Sequence, residues 1–156
     1  MSSRADSHTD PATYNSVAAD WWSGRHRWLR TLHNLVPARL RHFDPIVGDW
    51  RGRRVLDLGC AGGFVAEALA ARGAMVTGID PAADAVAAAR ARSRTTRSGI
   101  DYLVGGGERL PLPPASFDTV VSVDVLGHVS DLGAVIAEIG RVLRPGGLFL
   151  FDTINR

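Results

Sequence analysis

The sequence predicts an α/β protein, a doubly wound and mostly parallel sheet preceded by a helical cap. From Val55 onward, five short β-branched or apolar runs bounded by Gly, Pro or Asp alternate with helical stretches, as strands buried on both faces and joined by crossover helices do. The first run leads straight into a glycine-rich turn, Asp57-Leu58-Gly59-Cys60-Ala61-Gly62-Gly63-Phe64. The first 54 residues have a different texture: nine Arg against five Asp, and all four tryptophans, Trp21, Trp22, Trp28 and Trp50. The remainder has nine Arg against eleven acids and no Trp. Residues 1–13 therefore read as a disordered N-terminus, 14–52 as the cap and 53–156 as the sheet domain.

In the cap, Leu32, Leu35, Val36, Leu40 and Phe43 recur at roughly helical spacing, which predicts an amphipathic segment. Pro37 interrupts it and predicts two short helices or a kinked one. Trp21, Trp22 and Trp28 are expected to anchor the cap by burying large rings. Strands are expected at 55–58, 75–79, 100–104, 119–123 and 148–151. Helices are expected at 64–72, with Val65, Ala68 and Leu69 inward, and at 81–92, with Asp80 as N-cap and Pro81 at the first helical position. Leu132, Val135, Ile136, Ile139, Val142 and Leu143 give the clearest helical stripe, which Pro145-Gly146-Gly147 should end.

A length of 156 residues suits one domain, whose core can bury roughly 70% of the unfolded chain's surface without a covalent staple. Cys60 is the only cysteine, which removes intrachain disulfides and cysteine-rich zinc modules and points to a reducing setting. No metal ligand set is expected. Hydrophobic residues at 46% and charged ones at 22% exclude a disordered chain, and no apolar run approaches the ~20 residues that span a bilayer. Residues 1–10 lack an apolar h-region and carry Asp6 and Asp10, so a soluble, cytoplasmic product is expected. The pI of 9.3 comes from a near-balanced chain whose cations are all arginine, and it supports no nucleic-acid partner.

In a sheet of this kind ligands bind beyond the carboxyl ends of the strands. Glycines after the first strand let backbone approach a ligand and turn into a helix whose amides favour an anion. The dinucleotide pattern G-x-G-x-x-G fails here, because Ala61 and Phe64 stand where its second and third glycines belong. A nicotinamide oxidoreductase is thereby disfavoured. Asp80, 21 positions after Gly59, closes the second strand where a carboxylate would meet ribose hydroxyls.

Asp57-x-Gly59-x-Ala61-x-Gly63 resembles the glycine signature of class I S-adenosylmethionine-dependent methyltransferases. Glu108-Arg109-Leu110-Pro111-Leu112, then Ser116 to Val121, then Arg141 to Gly147 resemble the later blocks of that superfamily. Tyr14, Ala18, Trp21-Trp22, Gly24, Leu32-His33, Pro37 and Arg39-Leu40, with Thr153 to Arg156 at the end, narrow the resemblance to the ubiquinone-biosynthesis O-methyltransferases, which act on phenol and catechol rings. The resemblance implies a Rossmann-like methyltransferase fold with S-adenosylmethionine as cofactor. It implies that Arg39 and Gly59 hold the methionine end, that Asp80 takes the ribose hydroxyls, and that Asp57, Gly63 and Val123 complete the cofactor site.

Three departures matter. Ala61 replaces the middle glycine of the signature and fits if its φ stays negative. At Gly106 relatives carry an acid for the adenine amino group, so backbone groups or Glu108 would have to serve. Gly127 replaces an acid before His128, which is the candidate catalytic base for a phenol of pKa ~10 and otherwise a histidine that packs beneath the cofactor. Asp124 and Asp131 are candidate partners for its ring. Because the fold normally continues past a fifth strand, 148–151 is expected to be an apolar edge, left open by truncation or covered by a partner chain or a second copy. Two readings follow: a methyltransferase acting on a small aromatic or quinone-like acceptor, with peripheral membrane contact if that acceptor is a polyprenyl lipid, or a cofactor-binding module without independent catalysis.

Overall fold

The computed structural model describes residues 10–153. Strands β1 (Arg54–Leu58), β2 (Met75–Asp80), β3 (Asp101–Val104), β4 (Phe117–Val123) and β5 (Leu143–Asp152) form one sheet in the order β3-β2-β1-β4-β5. Every pairing is parallel, in agreement with the doubly wound expectation. The chain winds outward from β1 through β2 to β3, then returns to the other side of β1 for β4. That reversal opens a crevice beyond the carboxyl ends of β1 and β4.

Both faces of the sheet are covered, which is why its strands read as apolar runs rather than alternating ones. Helices α2 (Arg27–Val47), α3 (Phe64–Ala71) and α4 (Ala83–Thr96) pack on one face, where Leu40, Phe43, Leu69 and Val86 meet Val55 and Val121. On the other, Val135, Ile139 and Val142 of α5 (Leu132–Val142) meet Leu56, Ile79 and Val120. No helix among the described residues is long and apolar enough to cross a membrane.

The leader differs from expectation in two ways. A short helix, α1 (Pro11–Ser16), begins within the segment read as disordered, with Asp10 accepting from the Ala12 amide at 2.9 Å; the rest of that segment lies outside the described residues. Of the two forms expected at Pro37, the pair of short helices is not found: α2 runs as one helix of 21 residues with Pro37 inside it. Pro37 sits on the exposed side, so the carbonyl it leaves unbonded can reach water, while Leu29, Val36, Leu40, Phe43 and Val47 form a continuous buried stripe across it.

Three further elements depart in detail. Helix α4 starts at Ala83 with Ala82, not Asp80, at the N-cap. Its own residues offer no capping side chain, and Asn15 of α1 supplies the acceptor for the Asp84 amide at 2.9 Å. In α3 the fully enclosed residues are Ala66 and Leu69, with Val65 and Ala68 half-buried. Pro145-Gly146-Gly147 does not end α5 but lies inside β5: Leu143 pairs with Phe117, and Leu148 next pairs with Thr119. Five positions on β5 against two on β4 make a bulge, and Arg144 is kept extended by the proline that follows it. Leu132 and Ile136 stay exposed on α5. As expected, β5 is an edge of the described sheet, with Phe151 half exposed.

Asp44 joins the end of α2 to the rest of the domain. It accepts from the Trp50 indole N–H at 2.7 Å and from Arg72 at 3.0 and 3.2 Å. Burial works to raise its pKa, yet the bonds from Arg72 and Trp50 prevail and hold it below the ordinary carboxylate value. Asp44→Ala leaves the indole N–H of buried Trp50 without its acceptor. The expected cost is about 1–3 kcal/mol in urea unfolding.

Candidate functional site

The crevice is a cavity of about 370 Å³. The turn after β1 forms its floor, Asp80 and Gly105 to Glu108 one end, and Val123 to Val125 the other, while Tyr14, Trp21 and Arg39 of the leader close it from above. Six of the seven sequence-predicted site residues line it: Arg39, Asp57, Gly59, Asp80, Val123 and His128. Gly63 lies behind. It turns the chain into α3 at a φ of +95°, and a Cβ there would stand 2.5 Å from the Tyr102 hydroxyl, so packing and turning account for this glycine.

Two other glycines shape the cavity. At Gly59, φ is +79° and a Cβ would fall 2.2 Å from Val125 Cγ2, so neither the turn nor the neighbour admits a side chain. At Gly62 a Cβ would fall 2.2 Å from the ring of Trp21. The leader can sit down on the loop only because this position is bare, which no local spacing rule discloses. Ala61, expected at negative φ, instead adopts +44°. The cause is Asp80, whose Oδ2 accepts from the Ala61 amide at 2.9 Å; left-handed backbone at an alanine costs roughly 1–2 kcal/mol.

Asp80 has a second backbone partner, the Ala82 amide, which donates to Oδ1 at 2.8 Å. Burial raises its pKa, and the Ala82 and Ala61 bonds work against that rise. Asp57 is more deeply enclosed. Burial, reinforced by the negative charge of Asp80, pushes it up to about 7, against a lowering contribution from the Ala66 amide. Asp57 thus serves as acceptor for the first turn of α3, whose N-cap, Gly63, has no side chain to offer. Its Oδ2 is buried and has no partner among the described residues.

On the leader side, Arg39 is held by two acids. Its Nη2 donates to Asp124 Oδ2, and its Nε lies 2.7 Å from Asp152 Oδ2. Tyr14 stands over the same space, its pKa raised by burial first and then by the charges of Asp80 and Asp124. Asp152 was not singled out in the sequence, although its place at the carboxyl end of a strand was a usable signal.

His128 ends a 3₁₀ turn, Leu126–His128, and is exposed at the mouth. Neither acid expected beside it serves that purpose: Asp124 is bound to Arg39, and Asp131 caps α5 by accepting from the Ala134 amide at 2.9 Å. No cluster of three or more metal-ligating side chains occurs among the described residues. Glu108 occupies the space above Gly106: Oε2 lies 2.8 Å from where a Cβ would be, and Oε1 accepts from Ser130 at 3.1 Å.

Residues 56–151 match the methyltransferase domain family. A ubiquinone biosynthesis O-methyltransferase of Idiomarina loihiensis is 37% identical over 146 residues, covering 93% of this chain and 60% of the relative. The chain thus spans about three fifths of the length of that curated relative. Among solved structures, a putative methyltransferase from Haloferax volcanii, seen in complex with the Trm112 activator, superposes with a TM-score of 0.72 at 30% identity, over 87% of this chain and 57% of that one. An S-adenosylmethionine-dependent methyltransferase from Mesorhizobium loti gives 0.62 at 35% identity, over 67% and 48%.

Two measurements test the site's internal energetics. Ala61→Gly relieves the left-handed alanine and should stabilise the fold by about 1 kcal/mol, a rise of roughly 2–4 °C in Tm by calorimetry. Because the native Asp57 pKa lies near 7 and an unfolded aspartate titrates near ~3.9, the native state binds more protons between these values. Stability from this group is therefore full below pH ~4 and lost as pH rises to about 7, a change of roughly 4 kcal/mol. In urea unfolding, Asp57→Asn should gain on the parent chain by about that much between pH 4 and pH 8. A constant difference across that range would contradict the burial assigned to Asp57.

Proposed function

Because this chain belongs to the methyltransferase-domain family, we propose that it transfers a methyl group from S-adenosylmethionine to oxygen on a small aromatic acceptor, a phenol, catechol or quinone precursor. The observation that carries the reading is Asp80 at the carboxyl end of β2. Each of its oxygens holds one backbone N–H and keeps a lone pair, which suits the paired hydroxyls of a ribose. Gly59 adds main chain to the lining of the same cavity. These residues fit an adenosyl group.

In this reading Asp80 binds the ribose, Gly59 brings main chain against the cofactor and Val123 packs beside it. Arg39 faces its methionine end. Asp57 acts from beneath by fixing the start of α3, and Gly63 contributes the turn alone. When bound, the cofactor would supply a sulfonium-activated methyl for an acceptor oxygen, the CH3–S electron pair returning to sulfur as the O–CH3 bond forms and the phenolic proton leaves. Alignment in a closed crevice is the protein's main contribution. His128, at the mouth, is the group assigned to take that proton. The acceptor class follows the name of the Idiomarina relative, and a cytoplasmic setting belongs to the same proposal.

Calorimetry with S-adenosylhomocysteine should give micromolar binding that Asp80→Ala abolishes while far-UV circular dichroism is unchanged. Undiminished binding by the folded variant would overturn the assignment. Incubation with S-adenosylmethionine and a catechol panel, followed by mass spectrometry, should show a gain of one methyl. Cofactor binding with no turnover would instead favour the binding-module reading.

A further inference from the structure

We propose that a second cavity, a groove lined by α2, α3 and the end of α4, binds a small amphipathic monoanion: an alkyl chain bearing one carboxylate, held by Arg92 and Arg97. The groove has a volume of about 590 Å³ and shares only Val36 and Phe64 with the crevice, so it is a separate site. Helix α3 lines it with Ala68, Ala70 and Ala71, whose single methyl groups leave the space open. His33 stacks on the Phe64 ring at 4.5 Å, and Arg92 lies 4.4 Å over that of Trp22. With those ring faces taken, the apolar surface left to a ligand is mainly aliphatic, Val36 and Pro37 facing the alanines of α3. An alkyl chain suits it better than a flat ring.

Charge fixes the other end of the ligand. Arg92 and Arg97 both line the groove, and among the described residues neither guanidinium has an ion pair or a hydrogen bond. Arg97 also holds the left-handed position that ends α4, at a φ of +56°, where glycine or asparagine is usual. The one acid in the lining, Glu67, is committed to two hydroxyls: Oε2 accepts from Thr96 and Oε1 from Ser98, each at 2.9 Å. Burial and then the charge of Arg92 keep the His33 ring below its ordinary pKa, so it is neutral at pH 7. Two arginines against one acid leave a single positive charge, which one carboxylate balances and a dianion would exceed. A guanidinium fork also matches a carboxylate's two oxygens.

Solvated arginines beside a chance hollow would show the same contacts, so the test must separate recognition from surface charge. Calorimetry on the full chain would compare octanoate with octanamide, which keeps the chain and lacks the charge. Octanoate should bind at least tenfold more tightly. Arg92→Gln combined with Arg97→Gln should remove that advantage and leave octanamide within twofold. Equal affinities of the unaltered chain, binding of neither ligand, or an advantage that survives both substitutions would overturn the proposal. If the double variant does not fold, Arg97→Gln alone, at an exposed position, decides: a loss of at least threefold for octanoate only supports the site, and no loss overturns it. NMR then locates the ligand. With octanoate bound, the His33 imidazole should titrate at higher pH, because a neighbouring carboxylate favours the protonated ring. An unmoved titration would put octanoate outside the groove and overturn the assignment.

Discussion

Two backbone amides converge on the carboxylate of Asp80, and the geometry of the crevice depends on that convergence. The Ala61 amide ties the turn after β1 to the end of β2, and the Ala82 amide sets where α4 begins. Buried carboxylates are costly unless they are hydrogen-bonded. Here the two amides meet that requirement with one bond to each oxygen. The same pull explains why Ala61 is held in a conformation that an alanine avoids, and why α4 starts later than its proline implies.

The leader is part of the site rather than an addition to it. Trp22 donates its indole N–H to the Gly62 carbonyl at 2.9 Å and meets Phe64 edge-on, with ring centroids 4.7 Å apart. His33 stacks on the same phenyl ring at 4.5 Å, and Arg92 of α4 lies 4.4 Å over Trp22. Burial, followed by the charge of Arg92, lowers the His33 pKa. An aromatic cluster thus spans the cap, the turn after β1 and α4, and supplies directional contacts that a small domain's aliphatic core lacks.

All five strands and the order of elements were legible in the sequence, because a strand buried on both faces must be apolar throughout and the turns around it must break it. The positions that escaped are those where a distant partner outweighs a local rule. Pro37 reads as a breaker, yet the buried stripe of α2 continues past it with the proline facing outward. Pro145-Gly146-Gly147 reads as a helix stop, yet it forms a bulge within β5. Within the site, Arg39, Asp57, Gly59, Asp80, Val123 and His128 were legible from loop position and family resemblance, and the crevice brings them together. Asp152 was not, because its relevance lies in what it does to Arg39 and Asp124, both far away in sequence.

The contact of Trp21 with Gly62 has a consequence for how such chains can diverge. An indole resting on a bare Cα leaves no slack, so a methyl group at 62 requires a smaller ring at 21, and neither change is neutral alone. Substitutions at the two positions are therefore coupled, and a chimera joining a foreign leader to this sheet would need a residue at 21 that fits what stands at 62.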